Sequence, residues 1–89
     1  MKSKKVTVLC EEGLHLRVAS KVASIAQKAG GSVKIRSKND RPFANACSVL
    51  ELLTLGATLG TPLEIVAEGP NEDGVLNELS EVFKPCGDL

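Results

Sequence analysis

The sequence predicts an α+β domain of two layers, in which three helices pack on one face of a four-stranded sheet. Four short stretches alternate between apolar and polar residues, as strands do. Three other stretches have the apolar spacing or the capping residues that are typical of helices. Their order along the chain is β-α-β-β-α-β-α. Because 89 residues with 43% hydrophobic content can bury one modest core, we expect residues 1–89 to form a single domain.

The four predicted strands are short and are separated by turn residues. In the first strand, Val6 and Val8 face one side of the sheet, while Thr7 and Leu9 face the other side. Glycine, proline and asparagine residues separate the strands from the elements that follow. The predicted strands are Lys5–Cys10, Ser32–Ser37, Phe43–Asn45 and Leu63–Glu68.

The three predicted helices differ in what defines them. The first, Leu16–Ala29, repeats apolar residues on one face at helical spacing, namely Ala19, Val22, Ala23, Ala26 and Ala29. The second begins after Ser48, because Ser48 and Glu51 have the spacing of a capping box, and it stops at Gly56. The third, Glu72–Phe83, carries one apolar stripe. The apolar residues of the first and third helices predict the face that packs on the sheet.

Composition excludes several classes of protein. Eleven basic and eleven acidic residues give no net charge, and aromatic residues make up only 2% of the chain, so binding of nucleic acid is not expected. No apolar run reaches the roughly 18 residues of a membrane span, and the short run behind the basic start does not suit an export signal. We therefore expect a cytoplasmic protein without membrane insertion.

The cysteines do not predict a metal site or a disulfide framework. Cys10, Cys47 and Cys86 include no C-x-x-C pair, and no histidine stands at metal-ligand spacing from them. We expect them to be small buried or half-buried apolar residues, and we expect the protein to need no cofactor.

The single histidine stands where chemistry is expected. His15 falls at the junction of a glycine-containing loop, with Gly13, and the start of the first helix, and Arg17 follows two residues later. The first amides of a helix have no partner within it and carry the positive end of its dipole, so they favour a phosphate. A neutral imidazole can attack phosphorus, and an arginine can neutralise the transferred oxygens. These residues therefore predict a histidine that accepts a phosphoryl group.

Three segments together resemble one known family. The sequence GLHLRVA at residues 13–19 resembles the phosphohistidine motif of HPr, the histidine-containing phosphocarrier of the bacterial phosphoenolpyruvate-dependent sugar phosphotransferase system. Residues 46–56 resemble the second-helix segment of that family, and residues 67–73 resemble the loop before its last helix. The resemblance covers essentially the whole chain and implies an open-faced β-sandwich with a four-stranded antiparallel sheet.

The family resemblance also implies a function and partners. Enzyme I would phosphorylate a ring nitrogen of His15 with phosphoenolpyruvate as the source, and the group would pass to enzyme II A-type domains. His15 and Arg17 would be the catalytic residues, and Leu16, Arg17 and Val18 would bind the phosphate. The protein would act as a monomeric carrier and would turn over no small substrate by itself.

Two positions depart from the family motif. Leu16 is bulkier than the usual alanine, and Val18 stands where the family normally has proline. Proline at this place presets the first helical turn and lacks an N–H group, whereas valine supplies one. We expect the two departures to affect the rate of phosphoryl transfer and the fit to partner proteins, and not the carrier function itself.

The segment around Ser48 predicts both a structural and a regulatory role. Ser48 suits a helix N-cap, and in some HPr proteins the matching serine is phosphorylated by a kinase, which slows transfer at the histidine. The second helix is apolar on more than one side, so some of its residues are expected to meet partners. The expected docking residues are Leu16, Cys47, Val49, Leu50 and Leu53.

Two alternatives remain open from the sequence. The chain resembles the nitrogen-related branch of phosphotransferase carriers in the Glu68-Gly69-Pro70 loop, so it can belong to that regulatory branch. A partner-binding module with impaired transfer is the other alternative, although the presence of both His15 and Arg17 argues against it. A metal chaperone would require a paired-cysteine loop, which the sequence lacks.

Overall fold

The computed structural model describes residues 2–9, 13–37, 42–56 and 58–83. These residues form seven elements in the order predicted from the sequence. The strands are β1 Lys2–Thr7, β2 Ser32–Arg36, β3 Ala44–Asn45 and β4 Pro62–Glu68, and the helices are α1 Leu16–Lys28, α2 Val49–Leu53 and α3 Glu72–Val82.

The four strands form one antiparallel sheet in the order β1-β4-β2-β3. The last strand in sequence, β4, lies between β1 and β2, and Ile65 is in register with Lys4 of β1 and Ile35 of β2. In β4 the side chains of Leu63, Ile65 and Ala67 are buried, and those between them are more exposed. The predicted α+β fold with an antiparallel sheet and three helices is confirmed.

The first strand is displaced from its predicted position. It was expected at Lys5–Cys10, but it begins at Lys2 and ends at Thr7. An edge strand needs only its backbone to pair with β4, so lysine side chains extend into solvent there. Val8 is fully buried but bonds to the loop before β4, donating to the carbonyl of Thr61 at 2.9 Å. Cys10 lies outside the described residues.

The other predictions of secondary structure agree closely with the structure. Each of β2, β3, β4, α1 and α3 differs from its predicted range by one residue at one end. The second helix begins after Ser48 as expected, but it ends at Leu53, before the predicted stop at Gly56. The two residues between, Thr54 and Leu55, continue as turns, with Thr54 bonding back to the carbonyl of Glu51 at 3.1 Å.

The core lies between the helices and the sheet. Helix α1, the longest described helix at 13 residues, contributes a stripe in which the predicted residues Ala19, Val22, Ala23 and Ala26 are buried. The fifth predicted residue, Ala29, follows the helix and is half-buried against the core. From the other helices, Leu52 and Leu79 are fully buried. Within the described parts of the chain, no helix is long and apolar enough to cross a membrane.

Ion pairs between described residues join elements that are distant in sequence. On the sheet, Arg36 of β2 contacts Glu64 of β4 through two nitrogens, at 2.8 and 2.7 Å, and its guanidinium stacks over the Phe43 ring at 4.5 Å. At the sheet edge, Lys2 of β1 contacts Asp73 of α3 at 2.9 Å. The hydrogen bond to Asp73 raises the pKa of Lys2 above its usual value. The first pair therefore links the two central strands, and the second, more exposed pair links the edge strand β1 to α3.

Candidate functional site

The backbone places His15 at the N-cap of α1. Gly13 has a φ of 72°, in the left-handed region that glycine adopts easily, and it turns the chain from β1 towards the helix. His15 donates its N–H to the Gly13 carbonyl at 3.1 Å, and its own carbonyl accepts from Ala19 at 2.8 Å. Between them, Leu14 is buried and anchors the loop in the core. The histidine is therefore held on both sides, with its side chain half-exposed.

The imidazole of His15 faces the first turn of the helix. Its Nδ1 accepts the backbone N–H of Arg17 at 3.3 Å, which makes the histidine its own helix cap. A nitrogen that accepts a hydrogen bond carries a lone pair, so the neutral ring bears its proton on Nε2. The nucleophilic nitrogen of the neutral ring is therefore the one that faces the helix N-terminus.

The charges of α1 itself favour an anion beside His15. The first turn of α1 contains no acidic residue, and along its whole length the helix carries only the basic residues Arg17, Lys21 and Lys28. The positive end of the helix dipole adds to these charges. Arg17 is exposed and adds its positive charge at this end of the helix. The first turn of α1 is thus suited to hold a phosphoryl group.

The three residues predicted to bind phosphate are disposed in different ways. Leu16 is 62% exposed and Arg17 is exposed, whereas the side chain of Val18 is 4% exposed and belongs to the core. Val18 can therefore contact a phosphate through its backbone N–H but not through its side chain. All three residues occupy the first turn, where amides have no partner within the helix.

The residues predicted to dock partners divide into two groups. Leu16, Leu50 and Leu53 are 62%, 78% and 37% exposed, and we call these three residues the leucine surface. They lie on α1 and α2, which pack against each other. Cys47 and Val49 are half-buried and pack against the core, so they present less area to a partner than the three leucines do.

Ser48 forms the predicted cap of α2, but the capping box is rearranged. Its Oγ accepts the N–H of Glu51 at 3.3 Å. The carboxylate of Glu51 accepts the N–H of Asn45 at 3.0 Å instead of the Ser48 N–H, because Ser48 donates its own N–H to the Asn45 carbonyl at 3.0 Å. The side chain of Asn45 accepts from Cys47 at 2.9 Å. Asn45 therefore organises the approach to α2.

The residues that position this segment do not belong to the predicted site. Asn45 was assigned only to a strand, although an asparagine shortly before an N-cap is a known signal for a turn closed by its side chain. Gln27 near the end of α1 donates to the Cys47 carbonyl at 3.0 Å and links α1 to the start of α2. No sequence pattern indicates this contact, since it depends on how the two helices pack.

A half-exposed histidine at a helix N-terminus, on a small two-layer α+β fold and beside an exposed leucine surface, is the arrangement expected of a histidine phosphocarrier protein. The family described as "PTS HPr component phosphorylation site" matches residues 2–85. The phosphocarrier protein HPr of Haloferax volcanii is 32% identical over 78 residues, which cover 88% of each chain. That of Pseudomonas aeruginosa is 30% identical over 83 residues, covering 93% of this chain and 91% of the relative.

Solved structures agree with these relatives. The crystal structure of HPr-C-His from Thermoanaerobacter tengcongensis superposes with a TM-score of 0.83 at 25% identity, covering 93% of this chain and 91% of that one. The HPr of Bacillus anthracis shares the fold with the same TM-score at 24% identity, covering 93% and 96%. The chain therefore belongs to the HPr family, the phosphocarrier proteins of the phosphotransferase system, as its sequence motifs predict.

Proposed function

We propose that His15 accepts a phosphoryl group from enzyme I, with phosphoenolpyruvate as the source, and passes it to enzyme II A-type domains in sugar uptake. The observation that carries this proposal is the hydrogen bond from the Arg17 N–H to His15 Nδ1. It identifies Nδ1 as the ring nitrogen with the lone pair and places that nitrogen beside the first-turn amides of α1, the positive end of the helix dipole and Arg17.

The transfer step is a displacement at phosphorus. The lone pair of Nδ1 forms a new N–P bond while the bond between phosphorus and the donor's nitrogen or oxygen breaks, and that atom keeps the electron pair. His15 keeps its proton on Nε2 through the step, so the ring gains a positive charge that the phosphoryl oxygens balance. Transfer to the acceptor is the same displacement with His15 as the leaving group.

The residues around His15 stabilise the oxygens that carry charge in this step. The helix fixes the positions of the first-turn amides, so they can donate to these oxygens without movement of the backbone once the imidazole has released the Arg17 N–H. The guanidinium of Arg17, an exposed residue of the first turn, supplies a positive charge that can neutralise the phosphoryl oxygens. Positioning and charge stabilisation are therefore the contributions of this chain.

The leucine surface supports docking of the partners. Three exposed leucines on adjacent helices present apolar area, and Arg17 and Lys21 on the exposed side of α1 border it with positive charge. A partner that matches this surface has an apolar centre and acidic residues around it. We propose that enzyme I and the A-type domains share this one surface, since each must bring its own active site to His15.

The direct test uses phosphoenolpyruvate and purified enzyme I. We expect the native chain to gain an acid-labile phosphate and to lose it when an A-type domain is added. The control is His15→Asn, because asparagine is a good N-cap and keeps the helix start while removing the imidazole. Absence of label on the native chain contradicts the proposal, as does equal labelling of the His15→Asn chain.

Ser48 supports a second, regulatory part of the proposal. Its hydroxyl lies at the N-cap of α2, in the same helix as Leu50 and Leu53 of the leucine surface. A phosphate added there by a serine kinase would be tolerated at the helix N-terminus but would add negative charge beside a surface that binds acidic partners. We expect phosphorylation of Ser48 to slow loading of His15 and a phosphorylase to restore it. Unchanged loading of the Ser48-phosphorylated chain contradicts this part.

A further inference from the structure

The hydrogen bond that caps the start of α1 must break when His15 is phosphorylated. The lone pair of His15 Nδ1 is directed at the Arg17 N–H across 3.3 Å. A new N–P bond uses that same lone pair, and the phosphorus atom needs space along this direction. The ring must therefore turn away from the helix on phosphorylation, and the amide of Arg17 loses its acceptor.

The phosphoryl oxygens can replace this lost acceptor. An N-cap acceptor reaches the amides of the second and third helical residues, which in α1 are Arg17 and Val18. Ala19 is already bonded to the His15 carbonyl at 2.8 Å, so it is the first amide that the helix itself satisfies. The imidazole occupies one of the two capping amides, and three phosphoryl oxygens have the capacity to serve both.

We infer that phosphorylation exchanges the imidazole cap of α1 for a phosphoryl cap, and that the Val18 N–H is a donor gained in this exchange. Val18 is thus a positioning residue for the phosphohistidine. The inference rests on the proposed function at His15 and adds the amide that holds its product.

The burial of Val18 makes its amide an effective donor. The side chain is 4% exposed and belongs to the same core as Ala19 and Val22, which are fully buried. Its backbone therefore has little freedom to lose when the bond forms, and the bond exists only in the phosphorylated state. A donor of this kind stabilises the phosphorylated chain relative to the unphosphorylated chain. It therefore lowers the tendency of the phosphoryl group to leave His15.

Substitution by proline removes this single N–H. Proline is tolerated in the first helical turn, because the N–H it lacks has no partner within the helix there. The matched control is Val18→Ala, which loses side-chain packing but keeps the amide. We expect Val18→Pro to reduce the ratio of phosphorylated to free chain roughly tenfold relative to Val18→Ala, which corresponds to one hydrogen bond to a charged group.

The measurement is the equilibrium ratio with enzyme I at a fixed excess of pyruvate over phosphoenolpyruvate. An equilibrium ratio does not depend on how fast enzyme I docks. A substitution that only weakens docking therefore leaves the ratio of phosphorylated to free chain unchanged. In the native chain, the Val18 amide proton should shift downfield by NMR when His15 is phosphorylated, which tests the inference even if the proline variant does not fold.

The outcomes separate the inference from the proposed function. Equal ratios for Val18→Pro and Val18→Ala, or an unmoved Val18 amide in a chain that is phosphorylated on His15, overturn the inference and leave the carrier function standing. A native chain that enzyme I does not phosphorylate overturns both.

Discussion

The backbones of Gly31 and Gly69 lie so close together that a Cβ atom on Gly31 would be 2.9 Å from the Gly69 Cα and 2.1 Å from the Glu68 carbonyl oxygen. Gly31 lies between α1 and β2, and Gly69 lies between β4 and α3. No side-chain rotation can relieve a contact with backbone atoms. The packing of these two connections therefore requires glycine at position 31.

Replacing Gly31 by alanine should destabilise the fold by roughly 2–4 kcal/mol, because the two connections must move apart. Urea unfolding followed by circular dichroism measures this free energy. The control is Gly56→Ala, where a Cβ meets nothing within 4 Å and only the φ of 64° disfavours a side chain. We expect the control to cost about 1 kcal/mol. Equal losses in the two variants would show that the close approach is not the cause.

Leu50 and Leu52 should separate docking from stability. Leu52 is fully buried, so Leu52→Ala should lower the free energy of unfolding by about 2–5 kcal/mol. Leu50 is 78% exposed, so Leu50→Ala should change stability by less than about 0.5 kcal/mol while raising the KM for this chain in its phosphorylation by enzyme I. A Leu50→Ala chain that is loaded with native kinetics would exclude this residue from the docking surface.

Arg17 and Lys21 should contribute unequally to transfer. Both are exposed basic residues of α1, but Arg17 lies in the first turn and Lys21 lies one turn further along. We expect Arg17→Ala to slow phosphoryl transfer at least tenfold, since it removes a charge next to the reacting oxygens, and Lys21→Ala to act mainly on association. Rapid-quench kinetics with saturating enzyme I distinguish the two steps. Similar rates of transfer for both variants would assign Arg17 to docking alone.

Ser48 should respond differently to removal of its cap and to added charge. Ser48→Ala loses the acceptor for the Glu51 N–H, and we expect a loss of about 1 kcal/mol in stability. Ser48→Asp keeps a capping oxygen, so its stability should remain near the native value, while its loading by enzyme I should slow. Thermal unfolding and the loading assay report these two quantities separately. A destabilised but normally loaded Ser48→Asp chain would contradict both expectations.

The sequence predicted the elements that follow a local rule. The bounds of helix α1 agree with the prediction to one residue, and four of the five predicted stripe residues are buried, because apolar spacing decides both. The cap at Ser48 was correct for the same kind of reason, since the bond spans three residues. The position of His15 at the start of α1 also followed from its neighbours, Gly13 and the apolar repeat.

Features that depend on distant contacts were not predictable from the pattern. β1 begins at Lys2 because its backbone pairs with β4, and this pairing overrides the polarity of the lysine side chains. The division of α2 into buried Leu52 and exposed Leu50 depends on the angle at which the short helix meets α1. The Glu51 carboxylate accepts the Asn45 N–H, because the Ser48 N–H donates to the Asn45 carbonyl in the turn before α2.

The central place of β4 has a consequence for how the carrier is made. β1 is bonded only to β4 in the described sheet, and β2 is bonded to β4 on one side, yet β4 begins only at Pro62. A growing chain on the ribosome therefore holds β1 and the His15 loop without a completed sheet until residues 62–68 have left the exit tunnel. We expect the phosphate-accepting turn to take its final shape late, so that incomplete chains do not compete with finished carriers for enzyme I.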